Sequence, residues 1–544
     1  MHEIHPVVSS AVLDDAHQGA IHGALGSVRD SLDGRRSFWQ RVQTLLAILG
    51  PGLIVMVGDN DAGAFSTYAQ AGQNYGISLL WTLVLLIPVL YVNQEMVLRL
   101  GVVTGVGHAR LIFERFGRFW GAFSVIDLFL LNALTLVTEF IGIVMGLHYL
   151  GVPKVPGVLM SMLVLLAAVS TGSFRRFERF ALTLVTGSLL LVPLFVMVHP
   201  PIAAMAYHML IPGFPKGSLS DIMLLIIAIV GTTVAPWQLF FQQSYVIDKR
   251  ITPRYMHYER IDLWLGIAVV VIGAAAMIGF TARAFQGHSE FGHFQDSYQV
   301  AVGLGHYAGR AAGVLFAIAL IDACIIGAAA VSLASAYALG DVFSIRHSLH
   351  RKPSEAKGFY VFYAGLISVA AILVLAPGVP LGLLTNLVQT LAGVLLPSAT
   401  VFLLLLCNDR QVLGPWVNSA ATNVFTTIVI ALLVILSMIL TLSVLLPNMN
   451  GWQMLAVVVF CLLAAVLVTV VARGWDRRHA RRQPQLLLEP FQERLSWRMP
   501  PLHLLLPPRL SMLDRSWLAI LRLYLVVAAG MVMVKLVHMT LMHS

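Results

Sequence analysis

Two aspartates and an amide stand in the middle of an apolar run. The run opens with Gly50-Pro51-Gly52, and after five apolar residues it reads Gly58-Asp59-Asn60-Asp61-Ala62-Gly63-Ala64. A continuous helix is a poor host for two acids, and Gly58 and Gly63 favour local unwinding. Unwinding frees backbone carbonyls. Carbonyls beside carboxylates make an oxygen-rich cation site. A second break reads Gly231-Thr232-Thr233-Val234-Ala235-Pro236-Trp237-Gln238. Pro236 has no N–H to donate and displaces the preceding turn, so carbonyls around Thr232 become candidates for exposure.

The elements that must position these residues follow from composition. The chain has 544 residues, of which 58% are hydrophobic and only 11% charged. Soluble domains carry about 25% charged residues. A water-soluble enzyme, a disordered chain and a nucleic-acid binder are therefore excluded. Cys324, Cys407 and Cys461 all sit in apolar runs, which leaves no disulfide framework and no CxxC metal site. A membrane-spanning helix needs about 20 mostly apolar residues. Such runs occur at 44–74, 77–98, 119–147, 155–172, 179–199, 220–247, 261–282, 310–341, 359–376, 381–407, 421–446 and 453–472. A thirteenth, 517–541, contains Arg522 and Lys535 and either spans by snorkelling them or lies along the surface.

With a cytoplasmic N-terminus and alternating runs, 29 of the 35 Lys and Arg residues fall on the cytoplasmic side and four on the other. This positive-inside split accounts for the net charge of +9 without a nucleic-acid partner. The expected setting is the inner or plasma membrane, with the lipid bilayer as solvent. Residues 1–43 lack an apolar core, so they read as a mobile cytoplasmic tail and not a cleavable signal peptide. Residues 44–415 form a core of ten spans, 416–472 add spans eleven and twelve, and 473–516 read as a basic linker near anionic lipid. Residues 517–544 hold the thirteenth span or an interfacial helix.

The two breaks fall five spans apart. Interrupted helices at matching positions of two five-span halves are the pattern of inverted-repeat transporters, whose substrate lies near the midplane. Read alone, the second break is equally a packing kink, since membrane helices tolerate Gly and Pro. For Asp59 and Asp61 the alternative is pairing with a distant cation, but runs one to ten carry no mid-span Lys or Arg.

With these breaks in place the chain resembles the Nramp family of divalent-metal transporters over about 44–415. The family's Asp-Pro-Gly-Asn corresponds to Asp61-Ala62-Gly63-Ala64. Its Arg-Leu-Gly-x-Val-Thr-Gly is similar to Arg99-Leu100-Gly101-Val102-Val103-Thr104-Gly105, and its Ala-Thr-Val-Met-Pro-His to Thr232-Thr233-Val234-Ala235-Pro236-Trp237. Gln389, Leu396-Pro397 and Asp409-Arg410-Gln411-Val412-Leu413-Gly414 match the family's tenth span and its end. The resemblance implies an all-α, inverted five-plus-five repeat (LeuT-like) fold with broken helices 1 and 6 and additional C-terminal helices. It implies metal contacts at Asp61, Asp59, Asn60, Thr232, position 235 and Gln389.

The departures carry further expectations. Where the family's Met gives a thioether to the ion, this chain has Ala235, and Ala64 removes an amide. Soft sulfur favours manganese, iron and cadmium over magnesium. Asp59 and Asn60 add oxygen chemistry, and magnesium is held by one or two carboxylates with several waters. The chain in this respect looks like the Nramp-related magnesium-transporter branch, with manganese also accepted. Relatives that co-transport protons use Asp-x-x-Glu and a His after the Pro; here these positions are Leu136, Glu139 and Trp237. Loss of the imidazole and of half the pair implies weak or absent proton coupling.

Other polar positions are less committed. Glu139 is a pathway residue or a buried bonded acid. Asp322 lines the pathway, holds a proton, or is a neutral bonded carboxyl. Thr233, Gln238 and Asn386 are pathway candidates, whereas Gln242 and Gln243 suit packing or an inner vestibule. His288, His293 and His306 read as solvated loop residues. Three alternatives stand beside magnesium import by alternating access: a proton-coupled manganese or iron transporter, a permease for organic amines, and a membrane enzyme or receptor. No hydrolase or kinase motif supports the last, so the chain reads as a non-enzyme without a resident cofactor.

Overall fold

The computed structural model describes residues 17–445 except 18, 30–36, 216 and 377–380, with scattered positions in 453–470 and most of 495–523. Most of runs 453–472 and 517–541, and of the linker 473–516, lies outside the described residues. Eight helices among the described residues are long and apolar enough to cross a membrane, or up to nine if one bent pair counts as a span. The first run does not appear as one span because its glycines divide it.

The first described element is a hairpin, β1 (Ile21–Gly23) and β2 (Gly26–Val28), within the segment expected as a mobile tail. Helix α1 (Phe38–Ile48) begins at a capping box in which Ser37 and Gln40 satisfy each other's backbone N–H groups. It ends at Gly50, whose φ of 153° is open to glycine and strained for other residues. Beyond a bend of 45° lies α2 (Pro51–Gly58), with Pro at its first turn where a missing N–H does no harm. Asp59 and Asn60 then stand outside any helix, and α3 (Ala62–Tyr75) starts with Asp61 as its N-cap.

The rest of the first half is α4 (Trp81–Thr104), the short α5 (His108–Phe116), α6 (Arg118–Tyr149), α7 (Lys154–Val169), α8 (Phe174–Gly187) and α9 (Leu191–Val198). A tight turn at Ser188–Leu190 makes α8 and α9 one span. After the connecting helix α10 (Ile202–Leu210) the second half repeats the plan. It holds α11 (Leu219–Thr233) and α12 (Pro236–Asp248), broken at Val234–Ala235, then α13 (Met256–Phe285), the connecting α14 (Ser297–Tyr307), α15 (Arg310–Val342), α16 (Lys357–Leu375) and α17 (Leu381–Asn408). A single turn α18 (Arg410–Leu413) and α19 (Ala420–Leu445) follow.

The two halves are inverted repeats, and they exchange partners. The second span of the first half, α4, packs on α12, while its counterpart α13 packs on α2 and α3. The third spans α6 and α15 pack along each other. Thus α2 and α3 lean on α13 and α12 leans on α4 across the halves, while α11 packs mainly on α17 of its own half. Small residues allow that last approach: a Cβ on Gly231 of α11 would overlap the backbone of α17 at Gln389 and Gly393. Residues 514–523 are helical, with Trp517, Leu518 and Leu521 buried, and the Arg522 guanidinium lies 5.3 Å from the Trp120 ring centroid.

Candidate functional site

The breaks in α2/α3 and α11/α12 bring the sequence-predicted residues to the same depth. Asp59 ends α2 and Asp61 opens α3, its carboxylate accepting the Ala64 N–H at 2.9 Å. From the second break Gln238, in the first turn of α12, donates its amide N–H to Asp59. Gln94 of α4 donates to the Gln238 carbonyl oxygen at 2.9 Å. A chain of amides therefore ties the acid of one half to a helix of each half.

Asp61 has a second neighbour. Glu139 of α6 accepts the Ala62 N–H at 3.2 Å and stands within hydrogen-bonding reach of the Asp61 carboxyl. Its other oxygen has no partner. Cys324 of α15 packs beside this pair: a Cβ on Gly142 would lie 2.8 Å from the Ala62 methyl and would overlap the Cys324 sulfur. Tyr68 of α3 shares a hydrogen bond with Thr233 of α11 at 2.6 Å, a further link between the breaks.

None of Asp59, Asn60, Asp61, Glu139, Thr232, Ala235, Trp237, Gln238 and Gln389 is more than 5% exposed. The site is shut from both ends. Among the described residues no Lys or Arg forms an ion pair with Asp59 or Asp61; Glu139 is the charged side chain within hydrogen-bonding reach of Asp61. Two adjacent carboxylates in a dry, cation-free place are unfavourable unless a proton or a metal ion joins them. Orphaned polar atoms surround them: Asp59 Oδ2, Thr232 Oγ1, Trp237 Nε1 and Gln389 Nε2 have no hydrogen-bond partner. No three His, Cys, Asp or Glu side chains converge as a ready-made metal cage among the described residues. The donor set is instead a few carboxylates, amides and hydroxyls, the chemistry of a hard, partly hydrated cation.

The placement differs from residue to residue. Gln389 lies directly against Gly63 at the start of α3, so close that a side chain at Gly63 would overlap its amide. Trp237 packs over Gly58, 3.6 Å from where a Cβ would stand. Ala235 is the N-cap of α12. Asn60, expected in the cluster, turns instead onto α13: a Cβ on Gly273 would meet its Nδ2 at 2.6 Å, and both its polar atoms are unpartnered. Its carbonyl neighbours sit at the break but its amide faces another helix, because successive residues of a tight break point different ways. Asp322 is also elsewhere. It faces Gly187 at the end of α8, whereas Cys324, two residues on and roughly 200° around the helix, faces the Asp61–Glu139 pair. The Asn386 side chain lies outside the described residues. Gln94 and Tyr68 were not foreseen; the one signal for Gln94 was an amide late in an otherwise apolar span.

Three comparisons bear on this arrangement. The family model described as Nramp, natural resistance-associated macrophage protein-like, matches residues 52–443. The divalent metal cation transporter MntH of Aeromonas hydrophila subsp. hydrophila is 28% identical over 408 residues, covering 72% of this chain and 94% of that protein. The MntH of Ralstonia nicotianae is 29% identical over 398 residues, covering 70% of this chain and 87% of that protein. The crystal structure of the Eremococcus coleocola manganese transporter in complex with an aromatic bis-isothiourea compound shares the fold. It has a TM-score of 0.63 at 21% identity, over 85% of this chain and 99% of that chain.

Gln238→Leu is expected to leave both Asp59 oxygens without a donor and to destabilise the protein by about 1–3 kcal/mol. Thermal unfolding in detergent, followed by intrinsic fluorescence, should show a lower midpoint that millimolar divalent cation partly restores. An unchanged midpoint would detach Gln238 from the site.

Proposed function

The chain belongs to the Nramp family, and on that premise we propose that it moves divalent metal cations across the membrane, with Asp59 and Asp61 holding the ion between the two broken helices. One observation carries this reading: two buried acids at the first break, neither in an ion pair with Lys or Arg among the described residues, face an amide donor from the second. A divalent cation answers that charge; an amine permease answers only half of it. Alternating access is part of the same proposal; its support is that α2 and α3 pack on α13, and α12 on α4, across the two halves. Inward movement down a membrane potential yields about 4.6 kcal/mol per 100 mV for a doubly charged ion, which makes a second driving ion dispensable.

Within this class we place magnesium first and manganese second. Ala235 supplies a methyl where the family supplies a thioether, and the remaining donors are oxygen-rich. Proton coupling is weak or absent in the same proposal. The support is Leu136 in place of an acid and Trp237 in place of a histidine. The solved relative from Eremococcus coleocola is a manganese transporter, and one structural observation favours that second reading. The Cys324 sulfur stands beside the Asp61–Glu139 pair, where a thiol would suit a softer ion. Glu139, retained and adjacent to Asp61, would then be the proton carrier.

Three measurements on the protein in liposomes decide among these. Asp61→Ala should abolish magnesium and manganese uptake, and near-normal flux would remove Asp61 from the path. Ala235→Met should raise manganese and cadmium flux relative to magnesium; an unmoved ratio would reject the missing-thioether account. Lumenal pH should stay flat during uptake under an imposed potential, and acidification that tracks metal entry would restore the proton-coupled reading.

A further inference from the structure

The hairpin Ile21–Val28 does not hang free. Ile21, Ala24 and Val28 of the hairpin are buried, and its tip meets the ends of several helices. The Ala24 N–H donates to Glu178 of α8 at 2.5 Å, and Arg179 donates back to the Ala24 carbonyl at 3.3 Å. Arg250, just after α12, donates to the Ala20 carbonyl at 3.2 Å, and Tyr255 donates to the Arg29 carbonyl at 3.1 Å. Ahead of the strands, His17 stands 3.8 Å from Asp248 at the end of α12. Gly23 and Gly26 let the strands lie on α1: a Cβ on Gly23 would overlap the Ala47 carbonyl, and one on Gly26 would come within 3.2 Å of the Ala47 Cβ.

Beneath the hairpin is the hinge between α1 and α2. Lys249 forms an ion pair with Glu178 at 2.7 Å, both side chains 0% exposed. Its ammonium also donates to the Ile48 and Leu49 carbonyls at 2.5 and 3.0 Å, capping the C-terminus of α1 where the helix dipole favours a cation. Gly50 occupies the bend, with room for no side chain: a Cβ there would lie 2.5 Å from Glu178 Oε1 and 3.1 Å from Lys249 Nζ. On the far side Asp262 of α13 accepts the Gly52 N–H at 2.6 Å. Thus α1, α2, α8, α12 and α13 are tied at one end of the bundle, and Glu178 joins the hinge to the hairpin.

Along α12 between this knot and Asp59 run Gln238, Gln242, Tyr245 and Lys249, spaced to share a helix face. Gln242 and Tyr245 are buried, with both Gln242 polar atoms and the Tyr245 hydroxyl unpartnered. This stripe gives an ion leaving Asp59 a polar route toward the hairpin. Tyr245 of this stripe rests against Phe174 and Phe177 of α8, and α2 packs on α8 and α13, so a parting of α12 from α8 would break the Glu178–Lys249 knot beside the hairpin.

We propose that the hairpin Ile21–Val28 is an autoinhibitory latch, clamping the hinge between α1 and α2 so that the path along α12 stays shut until the hairpin lifts. This rests on the transport reading above, and the test separates the two. In a chain carrying Cys461→Ser, with Cys324 and Cys407 buried, the pair Gly26→Cys and Ala47→Cys is close to disulfide geometry, which needs Cβ atoms about 3.5–4.5 Å apart. Metal uptake into liposomes should vanish when mass spectrometry shows the bond formed and return on reduction, so that one protein sample serves as its own folding control. Gly23→Val, which drives the hairpin off α1, should raise uptake roughly fivefold, the factor that about 1 kcal/mol of bias produces. A readout without metal uses Gln242→Cys. Its labelling by an impermeant maleimide from the hairpin side should quicken when Gly23→Val is added. Quickened labelling without any uptake would support the latch and sink the transport reading. Uptake indifferent to the disulfide, with labelling unmoved by Gly23→Val, would overturn the latch and leave transport standing.

Discussion

Buried like charge is the constraint on which the rest of the molecule depends. Asp59 and Asp61 are held at 0% and 3% exposure at a helix break, with Glu139 alongside and no ion pair to Lys or Arg among the described residues. Isolated in lipid, such acids would be expelled or neutralised. Here they are retained because the surroundings are built from dipoles: the Ala64 and Ala62 N–H groups at the start of α3, and the Gln94–Gln238 amide chain. Dipoles moderate negative charge without cancelling it, so the site keeps a demand for a cation.

That demand explains why the helices are broken where they are. An intact α2–α3 would bind its own carbonyls and space its acids around a cylinder. The break frees backbone and turns Asp61 into an N-cap, oriented by the helix it starts. Likewise Pro236 opens α12 and puts Gln238 in its first turn, within reach of Asp59. The exchange of partners between the halves, α4 on α12 and α13 on α2 and α3, ties most of each break to the opposite repeat, while α11 stays against α17 of its own half.

The same economy governs the end that carries the N-terminus. Lys249 is the cation that the deep site lacks, and it is spent on Glu178 and on the end of α1. A buried ion pair adds little net stability, but removing one partner leaves an uncompensated charge and costs several kcal/mol. Such a contact suits a latch, which must be decisive when closed and separable as a unit. The hairpin adds its own backbone bonds to that unit, so the proposed closure involves residues ahead of the two repeats.

Much of this was legible in the residues. Apolar run lengths located the long apolar helices among the described residues, and the glycines around Asp59–Asp61 and the proline at 236 located both breaks. These are local effects: a run either can or cannot satisfy its own backbone in lipid, and Gly and Pro act on the turn they occupy. Relations between distant segments were not legible. The turning of Asn60 onto α13, the separation of Asp322 from the site while Cys324 joins it, the amide of Gln94 and the folded hairpin in an apparently loose tail all depend on what packs opposite. A side chain's partner is set by helix rotation and close approach across the bundle, down to the absence of a Cβ at Gly273 or Gly187. Sequence alone determined a membrane bundle with two ruptured helices and acids at the first. Only the tertiary structure decided which donors meet those acids and what holds the bundle shut, because those contacts join residues more than a hundred positions apart.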